Sequence, residues 1–104
     1  LKRVAVVDAA AIEVQEATAW YEERDPRVAA RFTSEVRRTL DLIESFPQIG
    51  GPIRGLADVD VRRMSVHAFP YYLVFVDYPE WVEVIACAHN RRHPTYFISR
   101  LRRV

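Results

Sequence analysis

Apolar residues recur along this chain in three rhythms, and each change of rhythm marks an element. Residues 2–7, KRVAVV, are β-branched and apolar at consecutive positions, the pattern of a strand buried on both faces inside a sheet. Asp8 suits the N-cap of a helix opening at Ala9. Within that helix Ala10, Val14, Ala17 and Tyr21 recur at three- and four-residue spacing, while Glu13, Glu16, Glu22 and Glu23 lie mostly off the stripe. One face therefore packs and the other is acidic.

The pattern breaks at Asp25 and Pro26, an N-cap residue followed by a proline whose missing N–H is not needed in a first helical turn. Val28, Phe32, Val36, Leu40 and Ile43 then trace a second apolar stripe, with Arg27, Arg31, Glu35, Arg38 and Asp41 largely outside it. So short a join makes the two helices antiparallel neighbours. Helical spacing also predicts core positions for Trp20 and Phe32. Pro47, Gly50, Gly51 and Pro52 end the second helix near Phe46 and open an irregular stretch over residues 48–60.

Period-two patterning follows. Residues 61–66 alternate Val61, Arg63 and Ser65 against Arg62, Met64 and Val66, which puts a long cation, Arg62, on the apolar face as an internal anchor or part of a site. Residues 71–78 are apolar or aromatic at nearly every position, as a central strand requires. Residues 81–89 alternate Val82, Val84, Ala86 and Ala88 against Trp81, Glu83, Ile85 and Cys87. The proline-bearing join at 77–80 reads as a turn, so the three strands form an antiparallel meander. After Pro94, the residues Tyr96, Phe97 and Leu101 predict a short terminal helix, with Thr95 available to cap it.

The predicted class is α+β. An N-terminal strand and an antiparallel helical hairpin pack on a small sheet containing the meander, and a short C-terminal helix closes the chain. The far face of that sheet, with Arg63, is left for a partner or solvent.

Composition narrows the picture. At 104 residues, half of them apolar, the chain suffices for one domain spanning 1–104 and one core. Cys87 is the only cysteine, which rules out an internal disulfide and a thiolate metal cluster; it reads as a small core residue. No apolar run reaches the roughly 20 residues of a membrane span, and no signal-peptide pattern opens the sequence, so a soluble cytoplasmic protein with no membrane partner is expected.

The formal charge of +1 conceals a division. Residues 1–88 carry ten basic and fourteen acidic side chains, whereas 89–104 carry five arginines and no acid. Such segregation points to an anionic partner or to a merely solubilising end.

The densest polar group is His89, Arg91, Arg92, His93, Tyr96 and Arg100. Histidine transfers protons near neutral pH, arginine braces a phosphate bidentately, and tyrosine stacks on a base. Those parts suffice to cleave RNA through its own 2′-hydroxyl without a metal. The plainer alternative is that His89 ends a strand, Pro94 forces a turn and the arginines pair with glutamates of the first helix. His89 and His93 lack a third metal ligand, no glycine-rich phosphate loop or nucleophile elbow occurs, and neither a metal nor a cofactor is expected.

Taken together and in this order, the helical pair EATAWYEERDPRVAARFTSEV, the strand pair VRRMSVHAFPYYLVFV and the closing AHNRRHPTYFISR resemble the ParE/RelE superfamily of toxins from bacterial type II toxin–antitoxin modules. The resemblance covers nearly the whole chain and is strongest to the ParE-like plasmid-stabilisation branch. It implies a toxin neutralised by a cognate antitoxin that wraps its groove, alone or within a homo- or hetero-oligomer. It also implies two candidate targets, DNA gyrase for ParE types and messenger RNA on the ribosome for RelE types.

The nuclease branch places an arginine on the central strand, in a YRxVY-like pattern, where this chain has Tyr72 within YYLVF. The reading that follows is a binding toxin without a catalytic residue, contacting its target or antitoxin through Arg62, Arg63, Arg91, Arg92, Tyr96 and Arg100. Two alternatives accompany it. One is a ribosome-dependent endoribonuclease using His89 for proton transfer, Arg91 as phosphate brace and Tyr96 for stacking; the other is a non-toxic domain that only binds a partner.

Overall fold

The computed structural model of the chain describes residues 2–56 and 59–101. Strand β1 (Arg3–Val6) leads into helices α1 (Asp8–Arg24) and α2 (Pro26–Ser45), followed by strands β2 (Gly51–Pro52), β3 (Val61–Ser65), β4 (Tyr71–Asp77) and β5 (Trp81–His89). A single 3-10 turn, Ile98–Arg100, comes last. The five strands form one sheet in the order β1-β5-β4-β3-β2, antiparallel throughout except that β1 runs parallel to β5. This is the α+β layout the patterning predicts.

The helical hairpin forms for the reason its join suggests. Asp25 is extended, and its carboxylate accepts the Arg27 backbone N–H at 3.0 Å while Pro26 occupies the first turn. At the other helix the expected cap fails: α1 begins at Asp8 itself, and the residue before it, Val7, offers no side-chain acceptor. The Val7 carbonyl already accepts the Ala11 N–H, so the helix starts one residue earlier than a cap at Asp8 allows.

Two further expectations are corrected. Residues 2–7 do not lie inside the sheet. β1 forms its edge, pairing only β5 through Arg3–Trp81 to Val6–Val84, and Val6 is 40% exposed. Val4 packs under the helices, while Val7, just past the strand and still bonded to the Val84 carbonyl, touches both layers.

The far face of the sheet is not left open either. Tyr72, Val74, Val76, Ile85, Ala86 and Ala88 pack there against Phe97, with Tyr96, Leu101, Ile53 and Leu56 around them. The terminal segment is thus a cover for the second layer. The predicted short helix is present as a 3-10 turn, Ile98–Arg100, but Thr95 does not cap it: its N–H and hydroxyl engage the His93 ring instead.

A bulge in β5 explains which residues enter which layer. Val74 faces Ala86 and Phe75 faces Val84, so Ile85 has no partner of its own. The strict alternation expected of 81–89 is therefore interrupted. Val82, Val84 and Cys87 face the helices, while Ile85, Ala86 and Ala88 face the terminal segment. Cys87 is buried at 3% exposure, and removal from water pushes its thiol up to about 12, with the Glu13 charge adding to the effect.

Candidate functional site

The site is organised by a carboxylate that patterning sets aside. Glu13 lies three residues after buried Ala10 and four before buried Ala17, on the margin of the α1 stripe that meets β5. Beyond Val84, β5 has lost β1 as a neighbour. Its outward backbone groups would be unpaired there, at a cost, unless side chains replaced the missing strand.

They do. Glu13 Oε1 accepts the Cys87 N–H at 3.0 Å, and Arg100 Nη1 donates to the Ile85 carbonyl at 3.0 Å. A donor and an acceptor two residues apart are what one residue of a parallel neighbour would satisfy. The two side chains close the arrangement on each other, with Arg100 Nη1 2.7 Å from Glu13 Oε1. Tyr96 donates its hydroxyl to Glu13 Oε2 at 2.7 Å, and Arg92 Nη1 stands 3.9 Å from the same oxygen.

The rings and charges of the tail are stacked around this hub. The Arg92 guanidinium lies 3.9 Å over the Tyr96 ring, and that of Arg100 lies 5.1 Å from it. Burial first, then the hydrogen bond to Glu13, raises the Tyr96 phenol well above its ordinary value. Arg100 is raised first by its own hydrogen bond to Glu13, and is a fixed cation in any case.

Of the residues singled out by sequence, Arg92, Tyr96 and Arg100 come together, and two of them, Tyr96 and Arg100, are held by internal bonds. This is the pairing of tail arginines with a first-helix glutamate that the plainer alternative describes. His89 stands at the end of β5, its Nδ1 accepting the Arg91 N–H at 3.0 Å and its ring edge-on to Tyr71. A neutral His89 therefore carries its proton on Nε2, able to donate there but with its basic nitrogen occupied. Arg91 is exposed.

Arg62 and Arg63 lie elsewhere, on β3, separated from β5 by β4. Arg62 serves as an anchor: Nη1 donates to the Gln48 carbonyl at 2.8 Å, Nη2 to Gln48 Oε1 at 3.1 Å, and Nε to Asp60 at 3.1 Å. Arg63 is exposed and spreads over the Tyr72 ring at 3.8 Å. Tyr72 itself is buried, and β4 contributes no cation to either face.

The chain also bears a cleft of about 430 Å³ between α1 and the adjoining ends of β4 and β5. Glu13, Glu16, Trp20, Tyr71, His89 and Arg92 line it, over a floor that includes Ala17 and Cys87. Trp20 was expected in the core by helical spacing; it is 51% exposed here, one residue off the stripe that buries Ala17 and half-buries Tyr21. Phe32 is fully buried as expected.

With this geometry in place, the chain can be set beside known proteins. The family model for the ParE toxin of the parDE type II toxin–antitoxin system matches residues 4–94. The chain belongs to the ParE toxin family. Among solved structures, a chain from the chromosomal ParDE TA system of P. aeruginosa aligns with a TM-score of 0.72, covering 85% of this chain and 95% of its own, at 12% identity. At that identity the likeness is one of fold. No curated protein matches. Among the described residues no helix is long and apolar enough to cross a membrane. The family match ends at residue 94, before Tyr96 and Arg100, the two tail residues bonded to Glu13.

Proposed function

We propose that this ParE-family chain is the toxin of a bacterial type II module, and that it works by binding a macromolecular target, DNA gyrase foremost, with its exposed cations as contacts. The observation that carries the reading is Tyr72. At the central-strand position where a phosphate-bracing arginine belongs in the nuclease branch, this chain has a buried aromatic ring, and the nearby cation, Arg63, lies flat on it. The proton-transfer candidate fares no better as a base, because His89 Nδ1 already accepts a backbone N–H.

Arg63, Arg91 and Arg92 are the exposed members of the proposed contact set. They suit an acidic antitoxin segment or an anionic target surface. Arg62, Tyr96 and Arg100 then support the surface instead of forming it. Neutralisation by a cognate antitoxin, in an intracellular hetero-oligomer, is part of the same proposal.

The test adds purified protein to gyrase, scoring supercoiling and trapped DNA breaks, and to translating ribosomes, scoring message cleavage. Trapped breaks with intact message, weakened by Arg63→Ala or Arg91→Ala, are the expected result. Message cleavage lost in His89→Ala or Arg91→Ala would overturn it in favour of the endoribonuclease.

A further inference from the structure

The α1 wall of the cleft follows from helical spacing: Glu13, Glu16, Ala17 and Trp20 fall at i, i+3, i+4 and i+7 and so face the same way. The opposite wall is Tyr71 and His89 from the sheet, with Arg92 at the rim. Neither carboxylate is equivalent to the other. Both Glu13 oxygens are taken by Cys87, Tyr96 and Arg100. Glu16 is exposed and makes none of the ion pairs observed among the described residues.

Glu16 is therefore the carboxylate left to attract an occupant, and the occupant it attracts is a cation. Glu13 is balanced by Arg100 at 2.7 Å and Arg92 at 3.9 Å, so within the cleft Glu16 is the carboxylate without an ion pair among the described residues. A cation meets an exposed carboxylate and the aromatic faces of Trp20 and Tyr71, which attract positive charge through their quadrupoles. The molecule shows the preference with its own side chains. Arg24 lies 3.5 Å over Trp20, Arg63 over Tyr72 and Arg92 over Tyr96.

We infer that this cleft receives an arginine side chain presented by a partner polypeptide, paired with Glu16 and held against Trp20 and Tyr71. A planar guanidinium can pair bidentately with a carboxylate while stacking on a ring, which an ammonium cannot do. The volume admits the side chain together with part of the partner backbone. This pocket lies on the helix-bearing side of the sheet, whereas Arg63 and Tyr72 belong to the other layer. The inference stands apart from the toxin reading and survives its failure.

The experiment titrates the isotope-labelled full chain with the capped tripeptide acetyl-Gly-Arg-Gly-amide, following nitrogen–proton correlation spectra. Saturable shifts at the Trp20 indole N–H and at the amides of Ala17, Tyr71 and His89 are expected. Glu16→Gln weakens the binding about tenfold, as loss of a charge-assisted bidentate pair should, and Trp20→Ala weakens it independently. Both residues are exposed, and an unchanged remainder of the spectrum verifies folding. The norleucine tripeptide and inorganic phosphate are the controls. Equal shifts with norleucine would show an apolar pocket, shifts with phosphate alone an anion site, and no saturable shift an empty cleft; each overturns the inference.

Discussion

Glu13 and Arg100 meet at 2.7 Å across 87 residues of chain, on the segment of β5 that β1 leaves uncovered. Their side chains are 11% and 22% exposed, so the pair is largely out of water while also bonding backbone groups at Cys87 and Ile85. Breaking such a pair leaves a charge and a peptide group unsatisfied. Glu13→Ala is expected to cost roughly 3 kcal/mol by urea denaturation, within the range for orphaning a buried partner. Adding Arg100→Met to Glu13→Ala should recover part of the loss; strictly additive costs would refute coupling between the two.

Arg62 and Arg63 are neighbours in sequence with opposite expected behaviour. Arg62 ties Gln48 and Asp60 together, so Arg62→Ala should lower stability by about 1–2 kcal/mol, chiefly through lost charge-assisted hydrogen bonds. Arg63 is exposed and its side chain makes only a ring contact among the described residues, so Arg63→Ala should leave the unfolding midpoint nearly unchanged while reducing target or antitoxin affinity in a binding titration. A midpoint that moves equally for both variants removes the distinction.

Phe97 decides whether the tail is structural. Its ring is fully buried against the far layer of the sheet. Phe97→Ala is expected to destabilise the chain by about 3–4 kcal/mol, the cost of deleting a buried aromatic, and to speed amide exchange in β4 and β5. Removing a solvated tail would do neither.

The titrations perturbed by burial act in one direction at high pH. Tyr96, Tyr71 and Tyr21 are raised above 10.0 and Cys87 above 9.0, all first by burial. The unfolded chain therefore loses these protons before the folded one does. Their contribution is fully present below the ordinary values and is lost as pH climbs through the folded ones. Stability measured against pH should hold to about 9 and fall above it. Tyr96→Phe should flatten part of that decline, and iodoacetamide at pH 8 should label Cys87 only at the rate of unfolding.

Much of the architecture was legible because it rests on local chemistry. Asp25 and Pro26 divide the two helices by capping and ring geometry, and the stripe from Val28 to Ile43 needs only a 3.6-residue period. The runs at 61–66, 71–78 and 81–89 announce the meander through alternation and turn residues. What the chain could not declare was the neighbour of each surface. β1 reads as an interior strand because its residues are apolar, yet it is an edge, since strand order depends on where α1 and α2 return the chain. The bulge at Ile85 moves Cys87 to the helix side, a register decision made between two strands and by neither alone.

The hub shows the same division. Sequence by itself supplied Arg92, Tyr96 and Arg100 as a basic, aromatic tail, and placed Glu13 off the packed stripe. Its position between Ala10 and Ala17 was the available signal. Only the folded chain decided that this carboxylate stands beside an unpaired stretch of β5. Hydrophobic periodicity reports which face of an element is buried; it carries no information about a side chain that must stand in for a strand which has turned away.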